Sequence, residues 1–385
     1  MKKETKLIRT QILRSENREH STPIYLTSSY TFDDADQMAA LFNDEQEGYI
    51  YSRYSNPNVT EFGQKVADLE GTEASWVTAS GMAAIFSTFG ALLEMGDEIL
   101  SVQSVFGSTH RLFTEVLPKW GITTNYVAFD QLETWEQAIT PQTKILYLET
   151  PTNPGVDIID LEAANAIAKK YNLIFIVDNC FATPINQRPA DFGAELVIHS
   201  ATKYFDGQGR VMGGVILGSH ALIHKIQGFA RHTGPAISPF NAWVLSKSLE
   251  TLVIRIERHN SNALEIAKRL ENHAQVETVK YPFLPSHPQY EIAKRQMSGG
   301  GGIVTFVIKG GLDQGKAFLN QLELLSLTAN LGDTRSIATH PASTTHSKLT
   351  DEARLQVGIT AGLIRISVGL ENVEDIWEDI TQALA

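Results

Sequence analysis

Beyond residue 61 the chain alternates short apolar runs with longer stretches in which apolar residues recur at helical spacing. The runs predict strands over 74–78, 98–102, 144–148, 174–177 and 196–199, with helices over 81–93 and 162–171 between them. Strands alternating with helices in this way predict an α/β domain with a mostly parallel sheet. Residues 1–60 are polar and interrupted by Pro23, Asn56 and Pro57, so they are expected to form an extended arm suited to reaching a neighbouring subunit. A long helical pattern over 241–273 leads into a second, smaller unit with strands near 302–308 and 363–368. The expected division is an arm (1–60), a large domain (61–250) and a C-terminal domain (251–385), broken near Thr251.

At 385 residues the chain exceeds what one core usually serves, which agrees with two packed domains. Its net charge of −12 argues against a polyanion-binding surface, so nucleic acid is not an expected partner. The first residues contain no apolar signal core, and no later run reaches membrane-spanning length without charge or glycine; the expected address is the cytoplasm. Cys180 is the single cysteine and has no internal disulfide partner; it reads as a small packed hydrophobe rather than a nucleophile. His340 and His346 lie in a proline-containing loop without helical metal spacing, and no metal is expected.

Candidate chemistry gathers where apolar runs end. Glu195–Leu–Val–Ile–His–Ser–Ala–Thr–Lys203 delivers an amine beside the hydroxyls of Ser200 and Thr202. A desolvated lysine becomes nucleophilic toward an aldehyde, and the hydroxyls suit an anion such as a phosphate. Asp178 ends a second apolar run, where a carboxylate can pair with a cationic ring nitrogen; together these features point to pyridoxal phosphate. Ser80–Gly81–Met82 follows a strand and opens a helix, whose free N–H groups offer a phosphate anchor. The glycine clusters over 207–214 and 298–302 do not open a helix directly after a strand and read as flexible turns.

Tyr51–Ser–Arg53–Tyr–Ser–Asn–Pro57, Ser80–Gly–Met82, Glu149–Thr–Pro–Thr–Asn–Pro154, Val177–Asp–Asn179, His199–Ser–Ala–Thr–Lys203, His340–Pro–Ala–Ser–Thr–Thr–His346 and Arg365–Ile–Ser–Val–Gly–Leu–Glu371 run through nearly the whole chain. Together they resemble the Cys/Met-metabolism family of pyridoxal-phosphate enzymes. The resemblance implies a fold-type I, aspartate-aminotransferase-like architecture: a large domain with a mostly parallel seven-stranded sheet and a smaller α+β domain. It makes Lys203 the cofactor-bearing lysine and general base, and Asp178 the partner of the ring nitrogen. Gly81, Met82, Ser200 and Thr202 would hold the phosphate, with Tyr51 and Arg53 reaching it from a neighbouring subunit of a homotetramer. Asn153 would lie near the ring hydroxyl, and Arg365 would fork onto the substrate carboxylate.

Many relatives have tyrosine where this chain has Phe106, so stacking on the ring survives while the phenol is lost. Its proton-transfer work must pass to Lys203, Tyr51 or water. Phe106, together with Asn330 in Thr328–Ala–Asn–Leu–Gly–Asp333, resembles the O-succinylhomoserine sulfhydrylase branch. The resemblance further makes Asn330 a substrate-binding residue and places Arg111, and more weakly Arg335, where a succinyl carboxylate could be met. The implied reaction joins an amino-acid substrate, O-succinylhomoserine, to sulfide, releasing homocysteine and succinate. Cystathionine γ-synthase, O-acetylhomoserine sulfhydrylase and methionine γ-lyase are the alternative activities. A noncatalytic subunit that keeps the fold is a reading the intact Lys203, Asp178 and Arg365 set argues against.

Overall fold

The computed structural model describes residues 1–345, 347, 350–356 and 358–385, with the backbone alone at 352, 353 and 356. His346 of the sequence motif lies outside the described residues.

The large sheet holds seven strands: β1 (Ala74–Thr78), β2 (Glu98–Val102), β3 (Thr123–Val127), β4 (Thr143–Glu149), β5 (Ile174–Asp178), β6 (Leu196–Ser200) and β7 (Gly214–Gly218), in the order β1-β7-β6-β5-β4-β2-β3. Strands β3, β2, β4, β5 and β6 run parallel, and β7 inserts antiparallel between β1 and β6. The expected mostly parallel sheet is therefore present. Its central strands are buried along nearly their whole length, as sheets covered on both faces require.

Strand β7 begins at the last glycine of the cluster over 207–214, whose other residues form no helix or strand. Gly214 opens this strand because the backbone of Ser80 approaches it: an added Cβ would stand 2.2 Å from the Ser80 carbonyl oxygen. The N-terminal stretch carries two short helices, Lys3–Arg9 and Ala35–Phe42. Pro57 is not a breaker but the first residue of the helix Pro57–Glu70, with the Asn56 side chain accepting from the Asn58 N–H as its cap. That helix buries Phe62, Val66 and Leu69 in the large-domain core.

The helical pattern over 241–273 is two helices, Pro239–Leu249 and Leu252–Glu271, separated near Thr251. The second joins two cores. Its Leu252, Val253 and Ile256 pack with the large sheet, whereas Ala263, Ile266, Ala267 and Leu270 pack with the smaller domain. The smaller sheet comprises β8 (Val276–Lys280), β9 (Ile303–Ile308), β10 (Ser326–Leu327), β11 (Ile337–Thr339) and β12 (Leu363–Ser367), ordered β10-β11-β12-β9-β8. No helix among the described residues is long and apolar enough to cross a membrane.

Candidate active site

The parallel strands set the site's position. Glu149, Asp178 and Ser200 end β4, β5 and β6 at the carboxyl edge of the sheet, where open α/β sheets collect ligands. Above them lies a cavity of about 620 Å³, lined from the large domain by these three residues with Gly81, Met82, Phe106, Arg111, Asn153, Thr202 and Lys203, and from the small domain by Arg365.

One end of the cavity is built for an anion. The helix Gly81–Leu92 begins there, with the Ser80 hydroxyl accepting from the Ala83 N–H at 3.1 Å and leaving the N–H groups of Gly81 and Met82 outside the cap. Gly81 sits against Ser200 so tightly that a Cβ would come within 2.7 Å of the Ser200 Cβ and 3.0 Å of its Cα. Helix start and strand end are thereby brought together, with the Ser200 and Thr202 side chains lining the same space. The Thr202 hydroxyl is tied to Gly213 on both sides, donating to its carbonyl at 3.3 Å and accepting its N–H at 3.2 Å.

Asp178 is 8% exposed, and its Oδ1 accepts the Cys180 N–H at 3.0 Å. Burial pushes its carboxyl up to about 6, against the opposing effects of that hydrogen bond and of His199 on the neighbouring strand. A cationic ring nitrogen at this position would restore the ionised form. Lys203 follows β6 and donates from Nζ to Asn330 Oδ1 at 2.7 Å. Burial lowers its pKa, and the positive charge of Arg365 acts in the same direction, while Cys180 opposes it. A neutral amine is the nucleophilic form.

Arg365, on β12, is 7% exposed, and burial takes its guanidinium down to about 10. Its Nη1 donates to Asn153 Oδ1 at 3.0 Å and its Nη2 to the Asn330 carbonyl at 3.3 Å, while Nε is buried without a partner. A buried guanidinium on a residue that lines the cavity suits a carboxylate ligand. Asn330 thus bridges the lysine and the arginine. Phe106, 44% exposed at the start of the helix Gly107–Arg111, stands at the cavity wall. Arg111, on the same helix, lines the cavity and makes no ion pair among the described residues.

Three other residues singled out by sequence lie elsewhere. Arg335 is outside the cavity lining and pairs with Asp333, Nε to Oδ1 at 2.9 Å, while its Nη2 donates to the Gln208 carbonyl. Tyr51 is 40% exposed, and Arg53 donates to the Arg231 carbonyl and lies 5.5 Å from the Tyr51 ring centroid; neither lines this chain's cavity. Cys180 lines the cavity with its thiol pushed up by burial, the opposite of nucleophilic activation. Among the described residues no cluster of His, Cys, Asp or Glu could hold a metal.

Sequence reading passed over Glu149 as a chemical group, although an acid closing the apolar run at 144–148 is the same signal that marked Asp178. The buried pair of Glu70 Oε1 and His199 Nε2, 3.5 Å apart behind Asp178, left no such signal because its members are distant in sequence.

An anion cradle at a helix start, a carboxylate able to face a ring nitrogen, a desolvated lysine and a buried arginine fit pyridoxal phosphate and an amino-acid substrate, and define a fold-type I enzyme dependent on that cofactor. The profile of the Cys/Met metabolism PLP-dependent enzymes matches residues 4–385, and the chain belongs to that family. An O-succinylhomoserine sulfhydrylase of Mycobacterium tuberculosis is 45% identical over 383 residues, covering 98% of this chain and 94% of the relative. An L-methionine gamma-lyase of Pseudomonas putida is 43% identical over 364 residues, covering 94% of this chain and 92% of the relative. A Campylobacter jejuni structure described as an O-acetylhomoserine (thiol)-lyase, carrying N'-pyridoxyl-lysine-5'-monophosphate, superposes with a TM-score of 0.96 at 34% identity over 100% of both chains.

Proposed function

We propose that this enzyme replaces the succinyloxy group on Cγ of O-succinylhomoserine with sulfide, breaking Cγ–O and forming Cγ–S, so that homocysteine and succinate are released. The observation that carries this reading is Arg111: a guanidinium at the cavity wall, without an ion-pair partner among the described residues, suits the distal carboxylate of a succinyl ester. An acetyl ester has no such group. Relatives described as O-succinylhomoserine sulfhydrylases, at 45% and 44% identity, support the same choice. Arg335, already engaged by Asp333, is not used in this reading.

Pyridoxal phosphate supplies an electron sink that makes the substrate's Cα–H acidic. The chain's residues do the rest. Gly81, Met82, Ser200 and Thr202 would hold the phosphate, Asp178 would keep the ring nitrogen protonated, and Phe106 would cover a ring face in the absence of a tyrosine phenol. Arg365, which lines the cavity, would bind the substrate carboxylate, with Asn153 fixing the guanidinium beside the ring hydroxyl. Lys203 would carry the proton taken from Cα, its pKa lowered by burial toward the neutral amine that can accept a proton. Tyr51, exposed, and Arg53, half-buried, neither lining this chain's own cavity, would complete the partner's phosphate site, making a dimer the smallest active unit of a homotetramer.

The test is product analysis: homocysteine and succinate release from O-succinylhomoserine, with sulfide and cysteine as parallel acceptors and the acetyl ester as competing donor. Preference for sulfide and the succinyl ester supports the proposal. Cystathionine formation would move the assignment to a γ-synthase, α-ketobutyrate from methionine to a γ-lyase, and preference for the acetyl ester would remove the argument from Arg111.

A further inference from the structure

Two carboxyls end adjacent strands at the floor of the cavity. Glu149 on β4 stands in register with Asp178 on β5, and both are buried, at 4% and 8% exposure. Glu149 also makes a contact that Asp178 does not: its Oε2 accepts the N–H of Phe106 at 2.7 Å. This bond joins the end of β4 to the residue that opens the helix Gly107–Arg111, which carries Phe106 and Arg111 to the cavity wall.

Charge bookkeeping around the pair is one-sided. Asp178 is acted on by His199 and Tyr147, whereas the ionisable groups acting on Glu149 are Asp178, which opposes its ionisation, and Arg365, which favours it. Arg365 is the cation assigned to the substrate carboxylate, and the ring nitrogen is assigned to Asp178. Glu149 is then left buried, beside an ionised neighbour, with its cation engaged elsewhere. Burial first, and Asp178 second, push its carboxyl well above the usual range, in agreement with this geometry. A protonated carboxyl still accepts a backbone N–H through its carbonyl oxygen.

We propose that Glu149 is a positioning residue that acts as an uncharged hydrogen-bond acceptor, fixing the backbone of Phe106 so that its ring and the following helix are held over the cofactor site. This rests on the assignment of Asp178 and Phe106 to the ring made above. It does not depend on which acyl ester is used.

The experiment titrates cofactor-free protein with pyridoxal 5'-phosphate, following absorbance and fluorescence, for the unaltered chain and for Glu149→Gln, Glu149→Ala and Glu149→Leu. Glutamine keeps an acceptor oxygen and the packing, and is expected to hold cofactor affinity within about threefold, whereas alanine and leucine, which cannot accept, are expected to weaken it about tenfold or more. A role confined to packing would instead let leucine rescue and leave the removed acceptor without effect. Glutamine as poor as alanine would overturn the proposal, because the group would then be working as an anion; alanine and leucine both as tight as the unaltered chain would overturn it, because nothing would then be positioned. If alanine does not fold, the comparison of glutamine with leucine decides. Asp178→Asn and Phe106→Ala are run in parallel: if these also leave affinity unchanged, the ring assignment itself fails, and if they weaken it while the Glu149 series does not, only the Glu149 proposal fails.

Discussion

Asp178→Asn should make the cofactor-free protein more stable and the cofactor-bound protein less so. The reason is the carboxyl's burial, which lifts its pKa from an ordinary 3.8 to about 6. Below the lower value both folded and unfolded chains hold the proton, and the group has no effect on stability. Between 3.8 and about 6 the folded chain retains a proton that the unfolded chain has released, so stability falls as pH rises through this window. Above it the full penalty stands, up to about 3 kcal/mol at about 1.36 kcal/mol for each pH unit of displacement. Asparagine keeps the acceptor oxygen for the Cys180 N–H and removes the ionisation. For a chain of this length about 3 kcal/mol corresponds to a rise in Tm of about 4 °C, because the entropy of unfolding scales with residue number. The assay is thermal unfolding of cofactor-free protein at pH 4 and pH 7.5, with and without the substitution, followed by the same scans after adding pyridoxal phosphate. The expected gain appears at pH 7.5, shrinks toward pH 4 and reverses when the cofactor is bound, since a cationic ring nitrogen then stabilises the carboxylate. Equal Tm values at pH 7.5 without cofactor, or a gain that survives its addition, would refute the reasoning.

Lys203→Ala should lower turnover by about 10²–10⁴-fold, the usual range for removing a positioned base, and single-turnover measurements with added amines check it; undiminished turnover rejects the assignment. Arg111→Gln should raise KM for O-succinylhomoserine about tenfold through loss of a charge-assisted hydrogen bond while leaving the acetyl ester little changed, and parallel kinetics with the two donors read the difference. Arg335→Ala should alter neither KM beyond about twofold, because its pair with Asp333 lies outside the cavity lining, while thermal unfolding should register a loss of stability from leaving the buried Asp333 carboxylate without its cation; a large effect on the succinyl ester alone would return Arg335 to the binding site. Gly81→Ala should cost about 1–3 kcal/mol and weaken phosphate affinity, as its Cβ would meet the Ser200 backbone; equilibrium binding of pyridoxal phosphate measures the second effect.

The large domain's parallel strands were legible because each is a short apolar run ending in a chemically distinctive residue: Asp178 after β5, Ser200 and Lys203 at and beyond β6. Strand β7 was not, because its opening glycine serves a contact with Ser80, far away in sequence, and resembles a turn to any local reading. The helix starting at Pro57 was lost for a related reason: Asn56–Pro57 breaks a chain in isolation but caps one that packs Phe62 and Val66 against a core. Lys203, Asp178, Arg365 and Asn330 could be picked out in the sequence, yet the place of Asn330, its side chain meeting Lys203 and its backbone carbonyl meeting Arg365, arises only when the small domain folds against the large one. Arg335 shows the converse limit: a suggestive arginine was already paired two residues away, with Asp333.

The helix Leu252–Glu271 carries a lesson for anyone wishing to take the molecule apart. A cut placed between the sheets severs a single rod whose first turns belong to one core and whose last turns belong to the other. A fragment ending before it strips Leu252, Val253 and Ile256 from the large domain, and one starting after it deprives the small domain of Ala263, Ile266 and Leu270. The two halves are therefore poor units for separate expression or for grafting onto other scaffolds, and a fusion or split-protein design should place its junction outside this helix.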